Sequence, residues 1–314
     1  MSARDSPMPT VAAYREGLLA AAVRVPTLAV VEAGLPPPVA SSSFAARFPS
    51  RYVTPPEAEF VPVTVERCAA GGPVFLGAPI PWVLEGAYPS LVRSLVFPRR
   101  NVKLVGFPAD AFPAGKGGPP SVRDDLGTMR ALPGLTVVAP ADGPTVRSAI
   151  LALAERAGPA YVRLPPSDAP TVTDGAFSVG RAQELRSGGD LAIVSLGPML
   201  ARALEVADEL ARVGISVRVL DAASVKPLDE AAVLRAARDT GAILVVEAAP
   251  LGTGLGSLVA AMTAENCPVP VRRLGFPDLW PEGDAAARRD ELGLSLDRVR
   301  DEAWELLRRR GRIA

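Results

Sequence analysis

Arg130-Ala131-Leu132-Pro133-Gly134-Leu135-Thr136-Val137-Val138-Ala139-Pro140-Ala141-Asp142 is where a fold first becomes readable in this chain of 314 residues. Thr136-Val137-Val138 is a short β-branched run and reads as a buried strand. From about Gly143 to Ala157 apolar residues return at helical spacing, and Ala160-Tyr161-Val162-Arg163-Leu164 follows as a second strand. Strand, helix and strand in that order predict a parallel pair joined by a crossover helix.

The same alternation extends in both directions. Upstream, residues 10–22 read as a helix with Thr10 as its N-cap, Thr27–Val31 as a strand, and Phe44–Phe48 as a short helix. Pro36-Pro37-Pro38 must be loop, because proline lacks the amide donor that helices and sheets use. Val102–Val105 is a further strand. Downstream, Leu191–Ser195, Ser216–Leu220 and Ala242–Val246 read as strands, separated by helices near Met199–Val213 and Leu228–Thr240. Between the two series, Pro165 to Gly189 is rich in Pro, Ser, Asp and Gly and lacks periodicity. The expected fold is therefore α/β with two doubly wound domains, residues 1–165 and 190–314, joined by a linker over 166–189.

Composition narrows the function classes. The 34 basic and 34 acidic side chains cancel, so no electrostatic footprint points to nucleic acid or an anionic membrane. The basic cluster at Arg308, Arg309, Arg310 and Arg312 reads as a solvated helix end. Cys68 and Cys267 are too few and too far apart for a disulfide scaffold or a zinc site. With no secretory signal and no apolar run of the roughly 18 residues a membrane span needs, the expected location is the cytoplasm.

Two glycine-rich stretches need weighing as ligand loops. Gly252-Thr253-Gly254-Leu255-Gly256 follows a strand and opens a helix, but the full dinucleotide fingerprint is absent and the strand is not the first. It reads as a tight structural turn. Gly115-Lys116-Gly117-Gly118-Pro119-Pro120 lacks the order of a phosphate loop and reads as a mobile surface loop, with an active-site loop as the alternative that the resemblance described below raises.

The 130–142 stretch, together with Tyr161-Val162-Arg163-Leu164 and the run from Asp190 through Lys226-Pro227-Leu228-Asp229, resembles the C-terminal half of transketolase, a thiamine diphosphate enzyme. The resemblance covers about residues 10–310 and is strongest after Arg130. It implies a pyrimidine-binding domain followed by a transketolase C-terminal domain. It also implies a split enzyme, because the Gly-Asp-Gly…Asn motif that holds magnesium is absent from this chain. A separate subunit would then bring the diphosphate-binding domain and its Mg²⁺, in an α2β2 hetero-oligomer with a small-molecule ketol donor and acceptor.

The resemblance also names residues. In Arg51-Tyr52-Val53-Thr54-Pro55-Pro56-Glu57-Ala58-Glu59-Phe60, the Glu57-Ala58-Glu59 triplet stands where the family has Ile-Ala-Glu. Glu59 thus matches the glutamate that hydrogen-bonds the aminopyrimidine and drives it to the imino form, which removes the thiazolium proton. Glu57, two residues earlier on what reads as a strand, is the weaker carboxylate candidate. Phe60 replaces the family's glutamine. In the segment that flanks the pyrimidine, Trp82 matches one aromatic residue and Pro79 replaces the other; an indole can still stack on a heteroaromatic ring.

The chain contains no histidine. Pro108, Pro120 and Ala249 occupy positions where the family carries histidines that hold sugar hydroxyls and move protons near neutral pH. Lys116, Ser121, Arg123 and Arg130 are candidates by position for that work, though each reads first as structural, and Arg130 and Arg163 read equally as interface ion-pair formers. The implied function is two-carbon ketol transfer on a non-standard substrate in specialised metabolism. Two alternatives stand beside it: a non-catalytic structural or regulatory partner of the diphosphate-binding subunit, and a 2-oxoacid dehydrogenase beta-like subunit.

Overall fold

The computed structural model describes residues 10–37, 39–108, 124–278, 289–309 and 311. The chain divides into two compact units, Met1–Val179 and Gly180–Ala314.

In the first unit, helix α1 (Thr10–Arg24) leads to strand β1 (Ala29–Glu32), helix α2 (Ser42–Arg47) and the short strand β2 (Tyr52–Val53). Helix α3 (Phe60–Ala69) returns to β3 (Val74–Pro79). A wide π-helical turn at Trp82–Ala87 then passes through α4 (Tyr88–Leu91) into a second one at Val92–Val96, and β4 (Val102–Phe107) follows. The unit continues with α5 (Asp125–Ala131), β5 (Thr136–Val138), α6 (Gly143–Glu155) and β6 (Ala160–Arg163). These strands pair in parallel, in the order β5–β6–β4–β3–β1–β2. Every residue of β1, β4 and β5 is buried, as expected for a parallel sheet covered on both faces.

Helices α1 and α6 pack together on this sheet, with Tyr14, Leu18 and Ala21 in one core cluster with Val146, Ile150 and Leu153. Gly17 permits the close approach, since a Cβ there would stand 3.0 Å from the Ile150 Cβ. Thr10 does not act as the N-cap read from the sequence: it lies within α1 and its hydroxyl donates to the Pro165 and Pro166 carbonyls. The caps that do form use aspartates. The Asp124 and Asp142 side chains accept from Gly127 N and Thr145 N, each at 3.1 Å. Fully buried Lys103 on β4 donates to the Arg156 and Gly158 carbonyls just beyond α6, and burial lowers its amine to about 7.

The stretch read as a linker is structured over much of its length. Asp142, fully buried, accepts from Val172 N at 2.9 Å and Thr173 N at 2.8 Å, pinning that segment to the first unit. Gln183–Arg186 forms β7, an edge strand of the second unit. Its alternating exposure, one side half-buried and the other in solvent, is why the run carries no strong apolar signal.

The second unit holds β7, β8 (Leu191–Ser195), α7 (Met199–Ala211), β9 (Val217–Asp221), the short β10 (Ser224–Lys226) and α8 (Glu230–Thr240). It closes with β11 (Ile243–Pro250), α9 (Leu255–Asn266), β12 (Val271–Phe276) and α10 (Leu296–Arg309). Its sheet runs β12–β11–β8–β9–β7, parallel except for β7. Helix α8 begins at Asp229, which accepts from Ala232 N at 3.0 Å, and ends at Gly241, whose φ of +65° places it in the left-handed region. Helix α10 buries Val299, Ala303, Leu306 and Leu307, a single stripe at helical spacing. At its end Arg308 and Arg309 are exposed and pair with Glu305; Arg310 and Arg312 lie outside the described residues.

The Gly252–Gly256 turn is structural. Glu247, buried on β11, accepts from Leu255 N at 2.6 Å and Gly256 N at 2.7 Å, capping α9. A Cβ on Gly254 would fall 2.1 Å from the Glu247 Oε2, so only glycine leaves room for that carboxylate.

Candidate functional site

In parallel α/β sheets, ligands gather where the strands end in the carboxyl direction. The neighbouring strands β3, β1 and β2 deliver their following segments to one such edge. Pro79 ends β3 and is followed by Trp82; Gly34 follows β1; Glu57 and Glu59 follow β2.

The 57–59 segment is a turn of 3-10 helix, not the strand assumed in reading Glu57 and Glu59 from the sequence. At three residues per turn, side chains two apart leave on different sides, so the two carboxylates serve different surroundings. Glu59 is exposed at the start of α3, and among the described residues its carboxylate has no hydrogen-bond or ionic partner. Glu57 turns to the groove between α3 and the Trp82–Leu91 helix, where its Oε2 accepts the Trp82 Nε1–H at 3.1 Å. That groove encloses about 610 Å³ and is lined by Glu57, Ala58, Val61, Val65, Trp82 and Ala87 among others. Pocket sizes of this order suit a small ligand or part of a cofactor.

Phe60 does not present a face to solvent. It is fully buried, and its ring meets the Trp82 indole edge-on with centroids 4.4 Å apart and planes at 86°. It backs the indole from inside the unit. Pro79 is half-buried and borders Gly34, whose φ is +68° and where a Cβ would stand 3.3 Å from the Pro79 Cδ. The structure thus brings Gly34, Glu57, Phe60, Pro79 and Trp82 together, with Glu59 two residues along the same turn.

One group at this edge gave no clear sequence signal. Glu32, the last residue of β1, is fully buried. Its Oε2 accepts from Ser41 N and the Tyr52 hydroxyl, both at 2.8 Å, and its Oε1 accepts from the Ser41 Oγ at 2.6 Å and the Tyr14 hydroxyl at 3.3 Å. A buried carboxylate with four donors ties the loop after β1 to α1 and β2, the strand that leads to Glu57 and Glu59. Burial, reinforced by the Glu32 charge, raises the phenol of Tyr14 well above its ordinary value and raises that of Tyr52 as well. In the sequence, only an acid at the end of an apolar run hinted at this cluster.

A second buried network lies beside β4 and β6. Asp125 accepts from the Tyr161 hydroxyl and from the Arg163 guanidinium, each at 2.7 Å. Arg163, read as an interface ion-pair former, therefore pairs within its own unit. Gly106 lies against this network, because a Cβ there would stand 2.6 Å from the Tyr161 hydroxyl oxygen.

Two of the three positions read as lost histidines are among the described residues. Pro108 follows β4 and is half-buried, and Ala249 on β11 is fully buried. Neither can carry a proton. Pro120, with Lys116, Ser121 and Arg123, lies outside the described residues. Among the described residues no cluster of three His, Cys, Asp or Glu side chains is arranged to hold a metal, and no helix is long and apolar enough to cross a membrane.

The surroundings of Trp82 suit a flat heteroaromatic ring such as an aminopyrimidine. An indole backed by a buried phenyl ring supplies an apolar wall, and acidic oxygens stand on the adjoining turn. Among the described residues lining this groove, none carries the positive charge a diphosphate needs.

Comparison with known proteins gives the chain its relatives. Residues 180–299 match the family model described as the transketolase C-terminal domain. The chain is 38% identical to the 6-deoxy-6-sulfo-D-fructose transketolase subunit SqwH of a Clostridium strain, over 69% of this chain and 68% of that protein. It is 31% identical to an apulose-4-phosphate transketolase subunit of Phocaeicola vulgatus, over 76% and 78% respectively. A solved split gene transketolase, described as an inactive beta4 tetramer, superposes with a TM-score of 0.86 at 31% identity, covering 96% of this chain and 99% of that one.

Proposed function

The chain belongs to the transketolase family, and we propose that it is the pyrimidine-binding subunit of a split, thiamine diphosphate-dependent enzyme that transfers a two-carbon ketol unit. The observation that carries this reading is the strand edge where Glu59 stands free on the turn beside the Trp82-lined groove. When bound, thiamine diphosphate supplies a carbon nucleophile able to cleave and rejoin the bond next to a ketone. The residues of this chain have narrower tasks. Trp82, with Phe60 behind it and Pro79 beside it, gives the pyrimidine a wall. Glu59 holds a proton in exchange with the pyrimidine ring nitrogen, the general acid–base task a carboxyl group on such a turn can perform.

The diphosphate and Mg²⁺ belong, in this reading, to a separate subunit, and activity requires both chains in a hetero-oligomer, for which we propose α2β2. The assembly of the solved relative is an inactive beta4 tetramer, which supports a need for the second subunit. The substrate is proposed to lie outside ordinary sugar phosphates. Relatives named for sulfofructose and apulose phosphate support that, as do Pro108 and Ala249 at positions where a transferase of the usual kind would carry histidines. A cytoplasmic location completes the proposal.

The test is reconstitution. This chain is mixed with the diphosphate-binding subunit, thiamine diphosphate, Mg²⁺ and a set of ketol donors, and two-carbon transfer to aldehydes is followed by mass spectrometry. The reading predicts turnover only with both chains present and its loss in Glu59→Gln. Full turnover in Glu59→Gln refutes the role of Glu59. A complex that forms without binding the cofactor favours the non-catalytic partner, a reading that the missing histidines keep open.

A further inference from the structure

Glu57 stands where the family carries an isoleucine, yet it makes the one polar contact to the site's indole among the described residues. Glu57 and Trp82 lie 25 residues apart, on the connections after β2 and β3, so their 3.1 Å hydrogen bond joins two separately delivered segments. The indole is then held twice. The buried Phe60 ring meets it at 86°, and the Glu57 carboxylate takes its N–H. A tryptophan ring gripped only by its apolar surface keeps rotational freedom at its outer bonds, whereas a second, polar grip selects one orientation. The bond lies at the exposed surface, so water screens the carboxylate charge and the contact is worth about as much as a neutral hydrogen bond.

The surroundings leave this arrangement undisturbed. Gly86 sits one helical turn beyond Trp82, and even a Cβ there would lie 3.7 Å from Nε1, so the N–H edge stays open to the carboxylate. The other carboxylate oxygen, Oε1, lies beside Gly34, 3.6 Å from where a Cβ on that residue would be. Among the described residues Glu57 makes no further side-chain hydrogen bond or ion pair, so nothing else accounts for its position.

We propose that Glu57 is a positioning residue: it fixes the Trp82 indole as a rigid wall against which a flat, electron-poor heteroaromatic ring stacks. This rests on the thiamine diphosphate reading for the identity of that ring, the aminopyrimidine. It differs from the proton-handling role given to Glu59. Two carboxylates on one 3-10 turn thus divide the work, one setting the wall and the other moving the proton.

The experiment uses a Trp280→Phe, Trp304→Phe background, in which Trp82 alone fluoresces. Acrylamide quenching is measured on the free chain, and thiamine diphosphate with Mg²⁺ is titrated into its complex with the diphosphate-binding subunit. Glu57→Leu should raise the quenching constant about twofold and weaken cofactor binding about fivefold, the loss expected for one exposed hydrogen bond. Glu57→Gln should stay near the parent in both, since its carbonyl can accept the same N–H. In a Trp82→Phe background, where no N–H exists, Glu57→Leu should change cofactor affinity less than about twofold. Unchanged quenching and affinity in Glu57→Leu overturn the proposal, as does a Gln variant as impaired as the Leu variant. If the parent complex binds no cofactor, the thiamine diphosphate reading itself fails, and the purpose assigned to Glu57 fails with it. Cofactor bound equally by parent and Glu57→Leu refutes the positioning role alone.

Discussion

Removing the Glu32 carboxylate should loosen the strand edge that carries the site, and the cost follows from its hydrogen bonds. Four donors converge on it: Ser41 N, Ser41 Oγ and the hydroxyls of Tyr14 and Tyr52. Glu32→Ala strands all four and leaves a cavity among residues that are themselves buried, including Tyr14 and Ser41. Breaking a buried, hydrogen-bonded charge network of this kind costs about 3–5 kcal/mol. For a unit of this size that is a fall in Tm on the order of 10 °C. Glu32→Gln should be much milder. Its carbonyl can take the place of Oε2 and accept from Ser41 N and Tyr52, while its amide donates to the Ser41 and Tyr14 hydroxyl oxygens, which can rotate to accept. What remains is the lost charge assistance, about 1–2 kcal/mol. Calorimetry of the parent and both variants provides the ranking, and amide exchange in β1 and β2 shows where the loss falls. An Ala variant within about 1 kcal/mol of the parent, or a Gln variant as damaged as Ala, refutes this account of the network.

Other outcomes follow from the same geometry. Tyr14, Tyr52 and Tyr161 have phenols raised by burial, chiefly, and by neighbouring carboxylates, so the folded state resists their ionisation. Their stabilising contribution is complete below the ordinary tyrosine pKa of about 10 and is lost as pH rises above it, so Tm should fall through that range and less steeply in Tyr52→Phe. A pH–Tm series checks this; equal slopes in parent and variant contradict it. Gly254→Ala should destabilise the second unit by about 2–4 kcal/mol, from overpacking plus loss of the Glu247 cap on α9, read by denaturant unfolding. Gly17→Leu drives a side chain into Ile150 and should cost about 1–3 kcal/mol, seen as a lowered melting temperature of the first unit.

The α/β class was legible because the parallel strands are short, apolar and β-branched, while the helices between them repeat at helical spacing. The runs at 136–138, 160–164 and 191–195 carry that signal plainly. The helix over Trp82–Val96 was hidden for a local reason: Pro81, Gly86 and Pro89 read as breakers, yet Pro81 precedes its first turn and Pro89 sits at the start of α4. Wide π-helical turns on either side of α4 also shift the spacing of buried residues away from the usual period. Likewise β7 was lost in a polar run because one of its sides faces solvent.

At the candidate site the family motif led to Glu59, but the tasks of its neighbours depended on contacts between distant segments. Glu57 meets Trp82 across 25 residues, and Glu32 meets Tyr52 across 20. No spacing rule links such pairs. Strand geometry was the wrong assumption for Glu57, since Pro55 and Pro56 lead into a 3-10 turn that swings it toward the indole.

The central claim is that Glu59 activates the cofactor, and it can be measured without knowing the substrate. In the complex of this chain with the diphosphate-binding subunit, thiamine diphosphate and Mg²⁺, deuterium exchange at the thiazolium C2–H is followed by quenched-flow NMR. The account predicts that Glu59→Gln retains the cofactor but slows exchange by about 10²–10⁴, the usual contribution of a positioned acid–base group. Exchange in Glu59→Gln as fast as in the parent, with cofactor bound, would contradict it.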